Sequence, residues 1–125
     1  MIRILVCGGR DFSDAARMTA VLDDLRQRRG IGKIIAGDAR GADALARRYA
    51  KRRGIPVAIY EAEWALHGPA AGPIRNRRML QEADPDVVVA FPGGRGTRDM
   101  VEQANAAGIE VIQVALERGS AQPRR

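Results

Sequence analysis

The stretch 86-DVVVAFPGGRGTRDM-100 decides how the chain is read. Its first half is an unbroken apolar run, as a strand buried on both faces requires. Its second half has the spacing of a helix start. Between them stand three glycines in the four positions 93–96. Glycine loses more backbone freedom on folding than any other residue, and an ordinary strand-to-helix turn needs one or two. The excess has two physical explanations. The turn packs too tightly for side chains, or its backbone must lie against a ligand. An anion fits the second, because bare amides at a helix N-terminus favour negative charge.

Working outward, the same alternation repeats along the chain. Strands are expected at 2–7, 33–36, 56–60, 86–91 and 110–114. Helices are expected at about 14–29, 41–53, 73–82 and 96–107, with a loop at 61–72. The first helix has Ala16, Met18, Val21, Leu22 and Leu25 at helical spacing, with Ser13 or Asp14 as its N-cap. The second turns Ala42, Leu45, Ala46 and Tyr49 inward and stops at Gly54. Pro73 suits the first position of the third helix. Strands alternating with helices predict an α/β fold, a Rossmann-like, doubly wound, parallel five-stranded sheet. Right-handed crossovers give the order 3-2-1-4-5, with strands one and four flanking the switch point. Residues 1–116 form a single domain in this reading, and 117–125 a flexible basic tail.

Composition narrows the setting. Hydrophobic residues make up 46% of the 125, and no apolar run approaches the roughly 20 residues of a membrane span. The N-terminus reads as a strand and not as a signal peptide. The single cysteine, Cys7, excludes an internal disulfide, fits a cytoplasmic setting, and reads as a small apolar filler. Cys7 and the single histidine, His67, cannot make a four-ligand zinc site; no metal or other cofactor is expected. The net charge is +6, and nineteen of the 21 basic residues are arginine. That balance admits phosphates or nucleic acid as partners. It is also met by a solvated face, because 26-RQRR-29 and 47-RRYAKRR-53 close helices, where cations suit the dipole.

Three glycine turns follow strands one, two and four: 8-GGRDF-12, 37-GDARGAD-43 and 92-PGGRGT-97. All fall on the carboxyl edge of the sheet. The first lacks the G-x-G-x-x-G dinucleotide pattern, and the chain has no P-loop. Pro92, Gly93, Gly94, Arg95, Gly96 and Thr97 form the candidate anion site, Thr97 supplying a hydroxyl to the anion or to the helix cap. Gly8, Gly9 and Arg10 adjoin it, Arg10 as a phosphate contact. Gly37, Asp38, Gly41 and Asp43 form the second turn, whose carboxylates either cap the next helix or bind ribose hydroxyls. Trp64 either stacks on a base or packs on the body.

PGGRGT at a fourth strand resembles the PGGxGT motif of LOG-type nucleotide phosphoribohydrolases. GDARGAD resembles the corresponding turn of the DNA-processing protein DprA. Taken with GGRDF and 71-AGPIRNRRM-79, the set over residues 2–114 is most similar to the YspA-related SLOG family. The resemblance implies a Rossmann-like fold and binding of a nucleotide-derived small molecule. It implies catalytic roles for Arg75 and, less completely, Asp99. In 75-RNRRM-79 the arginine and methionine of the LOG pattern remain and Asn76 replaces a lysine. Asp99 replaces the first of two glutamates and Met100 the second. An arginine can grip phosphate bidentately, and a carboxylate can stabilise the cation formed as an N-glycosidic bond breaks. The plainer alternatives are a surface arginine and a first-turn carboxylate favoured by the dipole.

The leading expectation is a domain that senses or carries a nucleotide-derived ligand. The alternatives are a LOG-like hydrolase of nucleoside monophosphates, slow because of its altered acids, and a DprA-like nucleic-acid module. A molybdenum-cofactor carrier shares the fold. The nucleic-acid reading is disfavoured by an aromatic content of 4%, since single-strand binders stack bases on aromatic rings. The resemblance also implies a homodimer paired through the helices after strands three and four, to which 100-MVEQANAA-107 offers small and apolar residues.

Overall fold

The computed structural model describes residues 1–115; the expected basic tail at 117–125 lies outside them. Five parallel strands, β1 Ile2–Cys7, β2 Ile31–Gly37, β3 Val57–Tyr60, β4 Val87–Ala90 and β5 Glu110–Gln113, lie in the order β3-β2-β1-β4-β5. This is the expected Rossmann-like order. Helices α1 (Ala15–Arg29) and α2 (Ala42–Arg53) cover one face of the sheet, and α4 (Ala71–Ala83) and α5 (Arg95–Ala106) the other.

Alternate residues of each central strand feed opposite cores. Ile4, Val6, Ile34, Ala36, Val87 and Val89 pack on Met18, Leu22, Leu25, Ala46 and Tyr49. Leu5, Cys7, Ile35, Val88 and Ala90 pack on Met79, Leu80, Met100 and Ala104. Both faces of these central strands are covered, so they lack the polar alternation of a half-solvated sheet.

Several boundaries move for identifiable reasons. Asp14 is the N-cap of α1, accepting from the Arg17 amide at 2.9 Å, and Ala16 faces solvent instead of the core. Pro56 has no N–H for the ladder; its carbonyl accepts from Ile34, and β3 starts at Val57. The expected loop at 61–72 contains a short helix, α3 (Trp64–His67), and a 3-10 turn at Gly68–Ala70. α4 therefore begins at Ala71, and Pro73 occupies its third position, still within the turn whose N–H groups lack helical partners.

Arg47 belongs to the turn after β2, its Nη1 donating to the Gly37 and Ala39 carbonyls at 2.8 and 3.1 Å, whereas Arg28, Arg29 and Arg53 pair elsewhere. Ile2 N–H bonds the carbonyl of Gly30, just after α1, at 2.9 Å, so the α1 C-terminus lies at the amino edge of the sheet. There Arg28 pairs with Asp24 and Arg29 with Glu110. Arg53 meets Asp23 at 3.0 Å and lies over the Tyr49 ring.

Candidate functional site

The carboxyl edge of the sheet carries a cleft of about 560 Å³. Gly8, Gly9 and Arg10 enter it from the turn after β1, and Asp38 and Asp43 from the turn after β2. Arg75 and Asn76 come from α4, and Gly94, Arg95, Gly96, Thr97 and Asp99 from the start of α5. The structure thus brings together twelve of the sixteen residues singled out from the sequence. Gly37, Gly41, Pro92 and Gly93 do not line the cleft.

Those four support the turns behind it. A Cβ on Gly93 would overlap Thr97 Oγ1 and stand 2.6 Å from the Gly9 nitrogen. Gly41 has φ +76°, and a Cβ there would overlap the Gly9 carbonyl oxygen. The Pro92 carbonyl accepts from Gly9 N–H at 2.9 Å. Gly9 therefore does not offer its amide to an anion, as its place in the sequence had implied. Gly37 lies beneath Arg75, where a Cβ would come within 2.5 Å of Arg75 Nη1 and of Asp43 Oδ2. Pro92 and Gly93 face a second, shallower cavity of about 320 Å³ between β4, α5 and β5.

The remaining glycines of the motif behave differently. A Cβ on Gly94 or Gly96 would meet nothing within 4 Å. Gly94 is the N-cap of α5 and no side chain caps that helix. The first amides of a helix have no intrahelical acceptor, so those of Arg95, Gly96 and Thr97 are available at this end of the cleft. Thr97 does not supply the cap that its position suggested.

The far wall is a carboxylate–arginine cluster. Asp43 is 7% exposed, and its Oδ2 accepts from Ala39 N–H at 3.2 Å. It does not cap α2, whose N-cap position is Gly41 and which has no side-chain cap; the Ala42 amide instead bonds the Gly9 carbonyl at 3.1 Å. Burial raises the pKa of Asp43, against the opposing pull of Arg75. Arg75 is no surface arginine, with its side chain 15% exposed. Its Nε donates to Asn76 Oδ1 at 3.2 Å and its Nη1 to the Tyr60 carbonyl at 3.3 Å. Nη1 also stands 3.8 Å from Asp38.

Buried Asn76 links this cluster to α5, its Nδ2 donating to Asp99 Oδ2 at 2.9 Å and to the Gly96 carbonyl at 3.2 Å. Gln103 donates to the same Asp99 oxygen at 2.8 Å and to the Pro73 carbonyl at 3.1 Å. Asp99 is thus the acceptor that ties α4 to α5, and more than a carboxylate at a helix start. Gln103 escaped the sequence reading, although its place four residues after Asp99 puts both on one helix face.

At the mouth, the Arg10 guanidinium stands 5.8 Å from the centre of the Trp64 ring. Trp64 is half exposed and lines the cleft, its Cη2 edge over Gly72 of α4. His67 lies outside the lining, 3.9 Å from Glu63. Cys7 forms part of the floor. Burial, reinforced by the charge of Asp43, pushes its thiol up to about 12, so it is a neutral thiol at pH 7 and a poor nucleophile.

No helix among the described residues is long and apolar enough to cross a membrane. Among solved structures the chain resembles MurG from Acinetobacter baumannii, with 17% identity and a TM-score of 0.61 over 90% of the chain. It also resembles the UDP-GlcNAc 2-epimerase from Neisseria meningitidis bound to UDP-GlcNAc, with 17% identity and a TM-score of 0.57 over 91%. It spans only 34% and 32% of those proteins, and the likeness is one of fold. The Gene 61 protein of Mycobacterium phage D29 is 39% identical over 120 residues, 90% of this chain and 95% of the phage protein. The profile of the YspA, cpYpsA-related SLOG family matches residues 2–67. By this match, more than half its length, and by the order of its glycine turns, the chain belongs to the YspA, cpYpsA-related SLOG family.

Proposed function

We propose that the cleft binds a nucleotide or nucleotide-derived small molecule, which the protein senses or carries in the cytoplasm. The observation that carries this reading is the pairing of an uncapped helix N-terminus with open glycines at one end of the cleft and a carboxylate cluster at the other. Amides of residues 95–97 suit a phosphate. Arg10 and Arg95 add charge beside them, and Asp38 suits sugar hydroxyls. A volume of about 560 Å³ lies within the usual range of roughly 300–1,000 Å³ for small-molecule sites.

Ligand retained through native purification and identified by mass spectrometry is the direct test. It is completed by titrating nucleoside monophosphates while following backbone amide shifts by NMR. The expected result is the largest shifts at residues 94–97. Shifts confined to the basic amino edge would refute the assignment and favour nucleic acid.

A second reading, hydrolysis of the N-glycosidic bond, draws on the carboxylates of Asp43 and Asp99 in one cleft. Arg75 argues against it, since two side chains and a backbone carbonyl already engage its guanidinium. Asp99 argues the same way, with one oxygen accepting from both Asn76 and Gln103. Binding without rapid turnover fits this geometry better.

A further inference from the structure

The geometry points to Trp64 as the platform on which the ligand's base stacks, with Arg10 as the cation that leaves the ring to meet the ligand's phosphate. This rests on the nucleotide reading above and deepens it. Two observations carry it.

The first is the division of the cleft. The anion-binding amides stand at the α5 end. Another part of the lining is apolar, built from Trp64, Pro69, Gly72 and Pro73. A nucleoside monophosphate has that same division, with charge at one end and a planar, weakly polar ring at the other. Trp64 is 48% exposed although it lines a cavity. The core does not enclose its large ring, and Arg10 stands over one face of it.

The second is the Arg10 contact. A guanidinium 5.8 Å from the ring centre lies within cation–π range. A base inserted between them would need about 7 Å, two layers at van der Waals spacing. A ring stacked on that face must therefore displace Arg10. The displaced guanidinium has a better destination, because a charge-assisted bond to phosphate is stronger than an exposed cation–π contact. Occupation of the cleft thus exchanges one partner of Arg10 for another and frees the indole for the base. Stacking tolerates any base, since every base has a π-face. Trp64 on this account sets the preference for nucleotides over sugar phosphates, without choosing among nucleotides.

Trp64 is the only tryptophan in the chain, so intrinsic fluorescence reports on this position alone. AMP, GMP, CMP, UMP and ribose 5-phosphate should be titrated into wild type and Trp64→Leu, with affinities from calorimetry and quenching from fluorescence. The expected result in wild type is saturable quenching by the nucleotides. The tightest should bind about tenfold to a hundredfold better than ribose 5-phosphate, the range that base–aromatic stacking contributes. Trp64→Leu should remove that advantage while still binding ribose 5-phosphate, which also shows that the variant is folded. If ribose 5-phosphate binds as well as every nucleotide, or Trp64→Leu keeps the preference, the stacking role is overturned while the phosphate site stands. If none of the five binds, the nucleotide reading itself fails and this role fails with it.

Discussion

Replacing Gly96 by alanine separates the two explanations for the glycine-rich turn, because they predict opposite signs. Gly96 lies in the first turn of α5 with helical backbone, and a Cβ there would meet nothing within 4 Å. Nothing in the free protein requires glycine. Alanine is about 0.8–1 kcal/mol better than glycine within a helix, and Gly→Ala at compatible sites stabilises by about 0.4–1 kcal/mol. A gain of about 0.5 kcal/mol is expected at this early position. In a domain of this size that raises the melting temperature by about 2 °C.

Affinity should move the other way. A phosphate held by the amides of residues 95–97 lies against the α carbon of Gly96, and an added methyl forces it outward. Losing one charged hydrogen bond costs about 1.5–3 kcal/mol, which is about ten- to a hundredfold in affinity. Gly93→Ala is the control. Its Cβ would overlap Thr97 Oγ1 and crowd the Gly9 nitrogen, so about 1–3 kcal/mol of stability should be lost through overpacking. Scanning calorimetry and nucleotide titration on both variants provide the assay. Unchanged affinity in a stabilised Gly96→Ala, or a destabilised Gly96→Ala, would refute the claim that this glycine serves a ligand.

The other predictions concern charge, chemistry and assembly. Burial raises the pKa of Asp43 above the ordinary 3.8, so between those values the folded state binds more protons than the unfolded one. Wild type should then gain stability relative to Asp43→Asn as pH falls toward 3.8, measured by urea unfolding across pH; a difference that stays constant with pH would contradict this. Incubation with AMP, GMP, CMP and UMP should release free base slowly or not at all by chromatography. Turnover near 1 per second, abolished by Asp99→Asn, would put the enzyme reading first. Light scattering at micromolar concentration is expected to give a homodimer; apart from Met1, the exposed large hydrophobics among the described residues, Val57, Ile59, Trp64 and Leu66, lie on β3 and α3, so pairing through α4 and α5 would use their polar outer faces.

The strand order was legible in the sequence because it rests on local signals. Val and Ile runs mark strands covered on both faces, helices of suitable length join them, and right-handed crossovers leave few arrangements. The turns were legible for the same reason, because glycine excess is written in consecutive residues. The division of labour among those glycines was hidden. Gly93 and Gly96 look alike in PGGRGT, and Thr97 together with the turn after β1, more than eighty residues away in sequence, makes the first a packing position. Of the two readings open for Asp43, the cap fails for a similar reason. Its place at the start of α2 suggested a cap, but Gly9 supplies the first acceptor for that helix, and α4 brings Arg75 to the carboxylate. The helical content of residues 64–70 was missed because four residues followed by Gly-Pro carry too little periodicity to declare a helix.

Asn76 has the most consequence for chemistry. The LOG pattern that the sequence resembles has a lysine at this position, whereas the asparagine here is buried at 4% exposure and uses both ends of its amide. Its oxygen accepts from Arg75 and its nitrogen reaches Asp99 and the Gly96 carbonyl. A lysine would carry a charge and no acceptor, so it could approach Asp99 but could not receive Arg75. Asparagine thus holds the arginine and the carboxylate in one fixed relation across the cleft while remaining neutral. That arrangement orients groups around a bound ligand. It also engages one oxygen of the carboxylate that would act as acid or base on a leaving group. The network that joins α4 to α5 across the cleft is therefore the physical reason to expect recognition from it before catalysis.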